Sequence, residues 1–186
     1  PVSNVDLWET QICTVERMLK FLTGDLWKIE LSSRTWQFSK PDEIGEKSNK
    51  YDEVSLFSGG MDSLISTINL MEDRKNTLLI SHAGEALTKN AQKNIVLFVM
   101  TGMDNINELL VPENGLIALN VPLDETRVGS FSTRTTHPFY LSLWNELLEG
   151  LGVNLSVKNP YWNRTKGEMA EECKNKDVLY ETMKLS

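Results

Sequence analysis

Apolar positions change rhythm near residue 51. From there on, short apolar runs alternate with stretches of helical period. Val54-Ser55-Leu56-Phe57 is followed by a glycine turn and then by Leu64, Ile68 and Met71 at helical spacing, so a strand at about 53–57 and a helix at about 62–73 are expected. Thr77-Leu78-Leu79-Ile80-Ser81 reads as a second buried strand. Residues 88–110 carry Ile95, Val96, Val99 and Met100 on one side and predict one helix, with an interruption from Gly102 to Asn107. It ends at Val111-Pro112, because the residue before proline is pushed out of the α region. Leu116-Ile117-Ala118-Leu119-Asn120 reads as a third strand and Val153 to Val157 as a fourth. Between these two, Pro138 suits the first turn of a helix with apolar Leu141, Leu143, Trp144, Leu147 and Leu148, which stops at Gly150 and Gly152. Thr165 and Glu168 form a T-x-x-E capping box. Strands alternating with helices predict an α/β fold with an open parallel sheet and right-handed crossovers.

The first 50 residues differ. Val15, Met18, Leu19 and Leu22 follow helical spacing, Thr23-Gly24-Asp25 is a turn, and Leu26 to Leu31 alternates like a half-buried strand that Trp36 and Phe38 prolong. A small N-terminal antiparallel β element is expected, joined by a polar linker over 39–50 with Pro41 and Gly45. The chain divides into an N-terminal helix and β extension, 1–50, and a second region, 51–186, that carries the alternating pattern.

Composition narrows the function. With 186 residues, 40% hydrophobic and 24% charged, the chain can bury one sizeable core. A net charge of −7 argues against a nucleic-acid backbone as partner, since that needs clustered Lys and Arg. No apolar run approaches the roughly 20 residues of a spanning helix, and Pro1-Val2-Ser3-Asn4 does not open a signal peptide; a cytoplasmic protein is expected. Cys13 and Cys173, far apart and outside any C-x-x-C, read as two free buried thiols.

The densest chemistry lies in Ser58-Gly59-Gly60-Met61-Asp62-Ser63, between the first strand and its helix. Two glycines let the backbone turn and approach a ligand, and the first helix amides have no intrahelical partners. Such a turn cradles phosphate. Ser58 and Ser63 add hydroxyls, and Asp62 can cap the helix or hold a magnesium ion. No Walker A string, G-x-x-x-x-G-K-[ST], is present, so attack at the α-phosphate fits better than γ-phosphate transfer. His82 follows the second strand, where ligands of open sheets collect, although a local hydrogen bond accounts for it equally well.

The S-G-G-x-D-S string resembles the pyrophosphate loop of the N-type ATP pyrophosphatases. Three further strings are similar to the QueC-like (7-cyano-7-deazaguanine synthase-like) branch of that superfamily, closest to the QatC-type proteins of bacterial anti-phage operons. They are Pro112-Glu113-Asn114-Gly115 with Ile117 to Asn120, Arg127 to Pro138, and Asn159-Pro160-Tyr161 with Thr165 to Met169. The resemblance implies a Rossmann-like open parallel sheet of the adenine nucleotide alpha hydrolase type. It implies an ATP-dependent ligase in which a 7-carboxy-7-deazaguanine-type carboxylate attacks the α-phosphate of ATP, pyrophosphate leaves, and an amine then displaces AMP. The amine is ammonia or belongs to a partner protein of a defence operon.

On this resemblance, Ser58, Gly59, Gly60, Met61, Asp62, Ser63 and His82 belong to the nucleotide, with Asp62 on Mg2+. Lys166 adds positive charge near the phosphates, with a plain surface lysine as the alternative. Arg127 and Arg134 suit a carboxylate or the α-phosphate, or else a structural acid. Thr135 and His137 are placed to read a purine-like ring or orient the acyl group, and Glu113 and Asn114 to recognise a heterocyclic N–H or an amide. A proline turn with a local hydrogen bond explains the last two nearly as well. Relatives carry a zinc-binding cysteine cluster near the C-terminus, whereas this half has only Cys173. Zinc is expected only if such a cluster lies outside the sequence given, and the joins near Ala86 and Asp104 suggest missing loops. A subunit that senses ATP without turnover is the competing reading. Sulfur transfer and tRNA-lysidine chemistry are disfavoured by the acidic charge and the lack of a catalytic cysteine pair.

Overall fold

A computed structural model describes residues 2–34, 51–81, 106–119 and 134–184. Two short helices open it, α1 (Val5–Glu9) and α2 (Ile12–Thr23). Strand β1 (Glu53–Leu56), helix α3 (Met61–Glu72) and strand β2 (Thr77–Ile80) follow, then β3 (Glu108–Leu110) and the one-turn α4 (Gly115–Ala118). A 3-10 turn, Arg134–Thr136, leads into α5 (Pro138–Gly150), β4 (Ser156–Lys158), α6 (Lys166–Glu171) and α7 (Lys176–Met183).

The four strands form one sheet in the order β2-β1-β3-β4, parallel throughout. The fold is α/β, with a Rossmann-like open sheet. Register gives the sheet two unlike faces: Val54 pairs with Leu78 on one side and Leu109 on the other, and Leu109 with Val157. The opposite face carries Glu53 beside Thr77, with Glu108 beside Ser156 and Leu110 beside Lys158.

Two apolar clusters hold the helices. Ile65 and Ile68 of α3 pack with Met169 of α6, Cys173, and Leu179 of α7. Met18 of α2 packs with Tyr140, Leu143 and Leu147 of α5, joined by Trp8, Val15, Phe21 and Leu22. At the sheet edge, the Asn145 carboxamide of α5 stands in for a neighbouring strand. Its Oδ1 accepts from the Val157 N–H at 2.7 Å, and its Nδ2 donates to the Val157 carbonyl at 3.1 Å.

Several expectations are corrected. Gly115–Ala118 forms a helix, not the third strand: the Asn114 side chain caps the Ile117 N–H and starts a helical turn. The third strand lies earlier, at Glu108–Leu110, inside the stretch expected to end a long helix. Here pairing with β1 and β4 overrides the local pattern; residues 88–105 lie outside the described set. The small N-terminal antiparallel element is not formed by the described residues. Leu26 to Leu31 pair with no strand, and the nearest sheet-like contact is a single parallel bridge, Val2 to Ser33. Trp36 and Phe38 lie outside the description. Cys173 is buried as expected, but Cys13 is exposed on α2.

Candidate functional site

Chain direction across the sheet reverses at β1. The chain passes from β1 outward to β2, then crosses back to β3 on the other side of β1. The crevice between the carboxyl ends of β1 and β3 is therefore the switch point, where open α/β sheets bind ligands. Residues 57–63 leave β1 there and residues 111–115 leave β3 there.

The first loop is built for close approach. Gly59 has φ +81°, and a Cβ there would meet nothing within 4 Å, so the backbone rather than crowding calls for glycine. Gly60 is the N-cap of α3 and offers no side-chain cap to the first helix amides. The Gly60 N–H donates to Ser58 Oγ at 3.3 Å, and Ser63 Oγ donates to the Gly60 carbonyl at 2.9 Å while lying 3.3 Å from Ser58 Oγ. Ser58, Gly59 and Gly60 are exposed, whereas Ser63 is buried and braces the turn from beneath.

Asp62 joins the two loops. It is 7% exposed, and its Oδ2 accepts from the Asn114 N–H at 2.8 Å and from Asn114 Nδ2 at 2.7 Å. Its Oδ1 is buried without a hydrogen-bond donor, 3.7 Å from Lys166 Nζ. Lys166 is the first residue of α6 and is mostly exposed. Its position is fixed by the capping box, in which the Thr165 side chain accepts from the Glu168 N–H and the Glu168 carboxylate accepts from the Thr165 N–H at 2.7 Å. Burial, the charge of the neighbouring Asp62 carboxylate and a side-chain hydrogen bond to it push the Glu113 carboxyl above the usual carboxylate range, while Lys166 pulls the other way.

A third loop, after β4, supports the second. Asn159 accepts from the N–H groups of Glu113 and Tyr161 through Oδ1 and donates to the Glu113 carbonyl at 2.8 Å. Gly115 lies so close to this loop that a Cβ would stand 2.6 Å from the Trp162 carbonyl. Asn159 belonged to a string singled out in the sequence, but its clamp on Glu113 needs the β3–β4 neighbourhood and has no sequence signal.

The structure thus gathers Ser58, Gly59, Gly60, Met61, Asp62, Ser63, Glu113, Asn114 and Lys166 at one end of the sheet. Arg134 and His137 both contact Phe21 of α2, while the 3-10 turn that carries Arg134 also packs against α4, the helix that follows Asn114. Arg134 Nη1 donates to the Phe21 carbonyl at 3.1 Å, and its guanidinium lies 5.3 Å from the centre of the Phe21 ring. His137 is the N-cap of α5: its Nδ1 accepts from the Phe139 N–H, and its ring packs on Phe21. Burial, with Arg134 nearby, holds the His137 pKa below its ordinary value. Thr135 is exposed in the 3-10 turn between them. Expected site residues His82 and Arg127 lie outside the described residues. Among the described residues no group of three or more His, Cys, Asp or Glu is arranged to hold a metal, and no helix is long and apolar enough to cross a membrane.

Comparison with protein-family models, with curated proteins and with solved structures finds no match for this chain.

Proposed function

We propose that the protein is an ATP-dependent carboxylate–amine ligase of the QueC-like kind. The observation that carries this reading is a glycine turn at the switch point, braced by buried Ser63 and flanked by Asp62 and Lys166. A turn of this build accepts the pyrophosphate part of a nucleotide on helix amides, with a lysine as a point charge beside it.

In the proposed reaction a carboxylate oxygen attacks the α-phosphorus of ATP and the bond to the bridging oxygen breaks, so that pyrophosphate leaves with that electron pair. An amine nitrogen then attacks the acyl carbon, AMP departs, and the amine gives up a proton to solvent. The substrate supplies the nucleophile. The protein's work is alignment of carboxylate and α-phosphate and stabilisation of charge on the leaving group. The acceptor is ammonia or an amine of a partner protein, and a 7-carboxy-7-deazaguanine-type acid is the proposed donor, in a cytoplasmic anti-phage setting.

Magnesium fits the residues present. Asp62 Oδ1 is a buried carboxylate oxygen with no N–H or hydroxyl donor, and the Glu113 carboxyl stands within hydrogen-bond reach of Asp62. One or two carboxylates completed by phosphate oxygens and water are a usual Mg2+ donor set. Bound there, the ion supplies neutralisation of the phosphate charge; Asp62 would hold it, next to Glu113.

The test is incubation with ATP, 7-carboxy-7-deazaguanine and ammonium or the partner protein, followed by mass spectrometry for AMP, pyrophosphate and amide. Asp62→Ala is expected to lower AMP formation at least about 100-fold, the scale of losing one preorganised electrostatic group. ATP bound with no AMP formed under any acceptor would favour the sensing subunit over the ligase.

A further inference from the structure

By sequence the Pro112-Glu113-Asn114-Gly115 loop suits either a substrate contact or a proline turn with a local hydrogen bond, and the polar atoms of Asn114 are spent inside the protein. Its side chain is 1% exposed, its Oδ1 accepts from the Ile117 N–H at 3.4 Å, and its Nδ2 and backbone N–H both meet the same oxygen of Asp62. Two donors on one carboxylate oxygen, at 2.7 and 2.8 Å, fix the rotation of that carboxylate. The other oxygen then has a single orientation. It is buried, receives no N–H or hydroxyl hydrogen bond, and is turned to the side where Lys166 stands, with the Glu113 carboxyl also in hydrogen-bond reach of Asp62.

Burying a carboxylate oxygen away from any N–H or hydroxyl donor is destabilising, and a fold does not need that arrangement to close a turn. An Asp at the second position of α3 would be satisfied equally by solvent or by the free amides of its own helix. Asn114 instead pulls one oxygen into the protein and commits the other to whatever occupies the crevice.

We propose that Asn114 is a positioning residue: by taking both hydrogen bonds at Asp62 Oδ2 it aims Asp62 Oδ1 at the cation that accompanies the nucleotide phosphates. This rests on the nucleotide-binding reading above. It makes the loop after β3 part of the phosphate site without contact with the ligand, and assigns recognition of the second substrate to other residues.

The experiment compares binding of α,β-methylene-ATP with and without Mg2+, by calorimetry, in the wild type and in Asn114→Ser. Serine keeps the N-cap acceptor for α4 and the backbone N–H bond to Asp62, and removes the side-chain carboxamide donor that locks the carboxylate's rotation. Mn2+ titration followed by electron paramagnetic resonance gives a second reading, independent of turnover. Expected for N114S are unchanged metal-free nucleotide affinity, a roughly tenfold smaller gain on adding Mg2+, and weaker Mn2+ binding in the presence of nucleotide. An unchanged metal-dependent gain would overturn the proposal. So would equal loss with and without metal, which marks a structural role only. A wild type that binds no nucleotide in either condition would instead defeat the nucleotide reading itself, so the two failures are distinguishable.

Discussion

Glu113 shows what one residue's surroundings decide. Sequence alone offers an acid that either recognises a heterocyclic N–H or sits in a proline turn with a local hydrogen bond; the fold clamps its peptide with Asn159 and sets its carboxyl beside Asp62. A carboxyl whose pKa is higher folded than unfolded binds its proton more tightly in the native state. Its contribution therefore favours folding below the ordinary carboxylate pKa and is lost as pH rises through the raised native value. In chelator-treated protein, urea stability of the wild type relative to Glu113→Gln should fall as pH rises from about 4 into the range just above ordinary carboxylates. A difference that is flat or rises with pH would contradict the Asp62–Glu113 coupling. Lys166 was legible as a residue near a helix start, but its aim at Asp62 comes from the packing of α6 on α3.

Elements were legible wherever chain-local chemistry fixes them. Helix α3 after its glycines, α5 from Pro138 to Gly150, and the Thr165 capping box all appear as read. Failures came where local pattern and pairing disagree. Leu116 to Leu119 is apolar enough for a strand, yet the Asn114 cap turns it into a helix. Glu108–Leu110 is only three residues long, and nothing but its β1 and β4 neighbours makes it a strand. Edge protection belongs to this scale. Asn145→Leu keeps the branched shape but strands the Val157 N–H and carbonyl at the sheet edge, and is expected to cost about 1–3 kcal/mol in equilibrium unfolding. A loss below a few tenths would mean that solvent replaces the clamp.

Across the whole molecule, the N-terminal helices are less separable than a division at residue 50 suggests. Met18, Val15, Phe21 and Leu22 share an apolar cluster with Tyr140, Leu143 and Leu147 of α5, and Glu146 of α5 accepts from Thr14 at 2.7 Å and pairs with Arg17. The 3-10 turn and the α5 cap pack on the same α2 residue, Phe21. Leu143, 1% exposed at the centre of this contact, is expected to lose about 2–5 kcal/mol on change to Ala. Removing residues 1–34 should lower the melting temperature and expose apolar surface to a dye such as ANS. Unchanged melting of the truncated chain would show α2 to be an accessory.

What the sequence determined by itself was whatever depends on neighbours in the chain. The α/β alternation, the glycine turn before α3 and the capped helix starts follow from residue-level sterics and from hydrogen bonds a few residues in reach. Only the tertiary structure decided which distant residues meet. Strand order put β3 beside β1 and so made the switch point, Asn114 reached Asp62 across 52 positions, and Arg134 and His137 turned to Phe21. These contacts come from long-range pairing and burial, whose energies depend on the whole fold and leave no periodic trace along the chain.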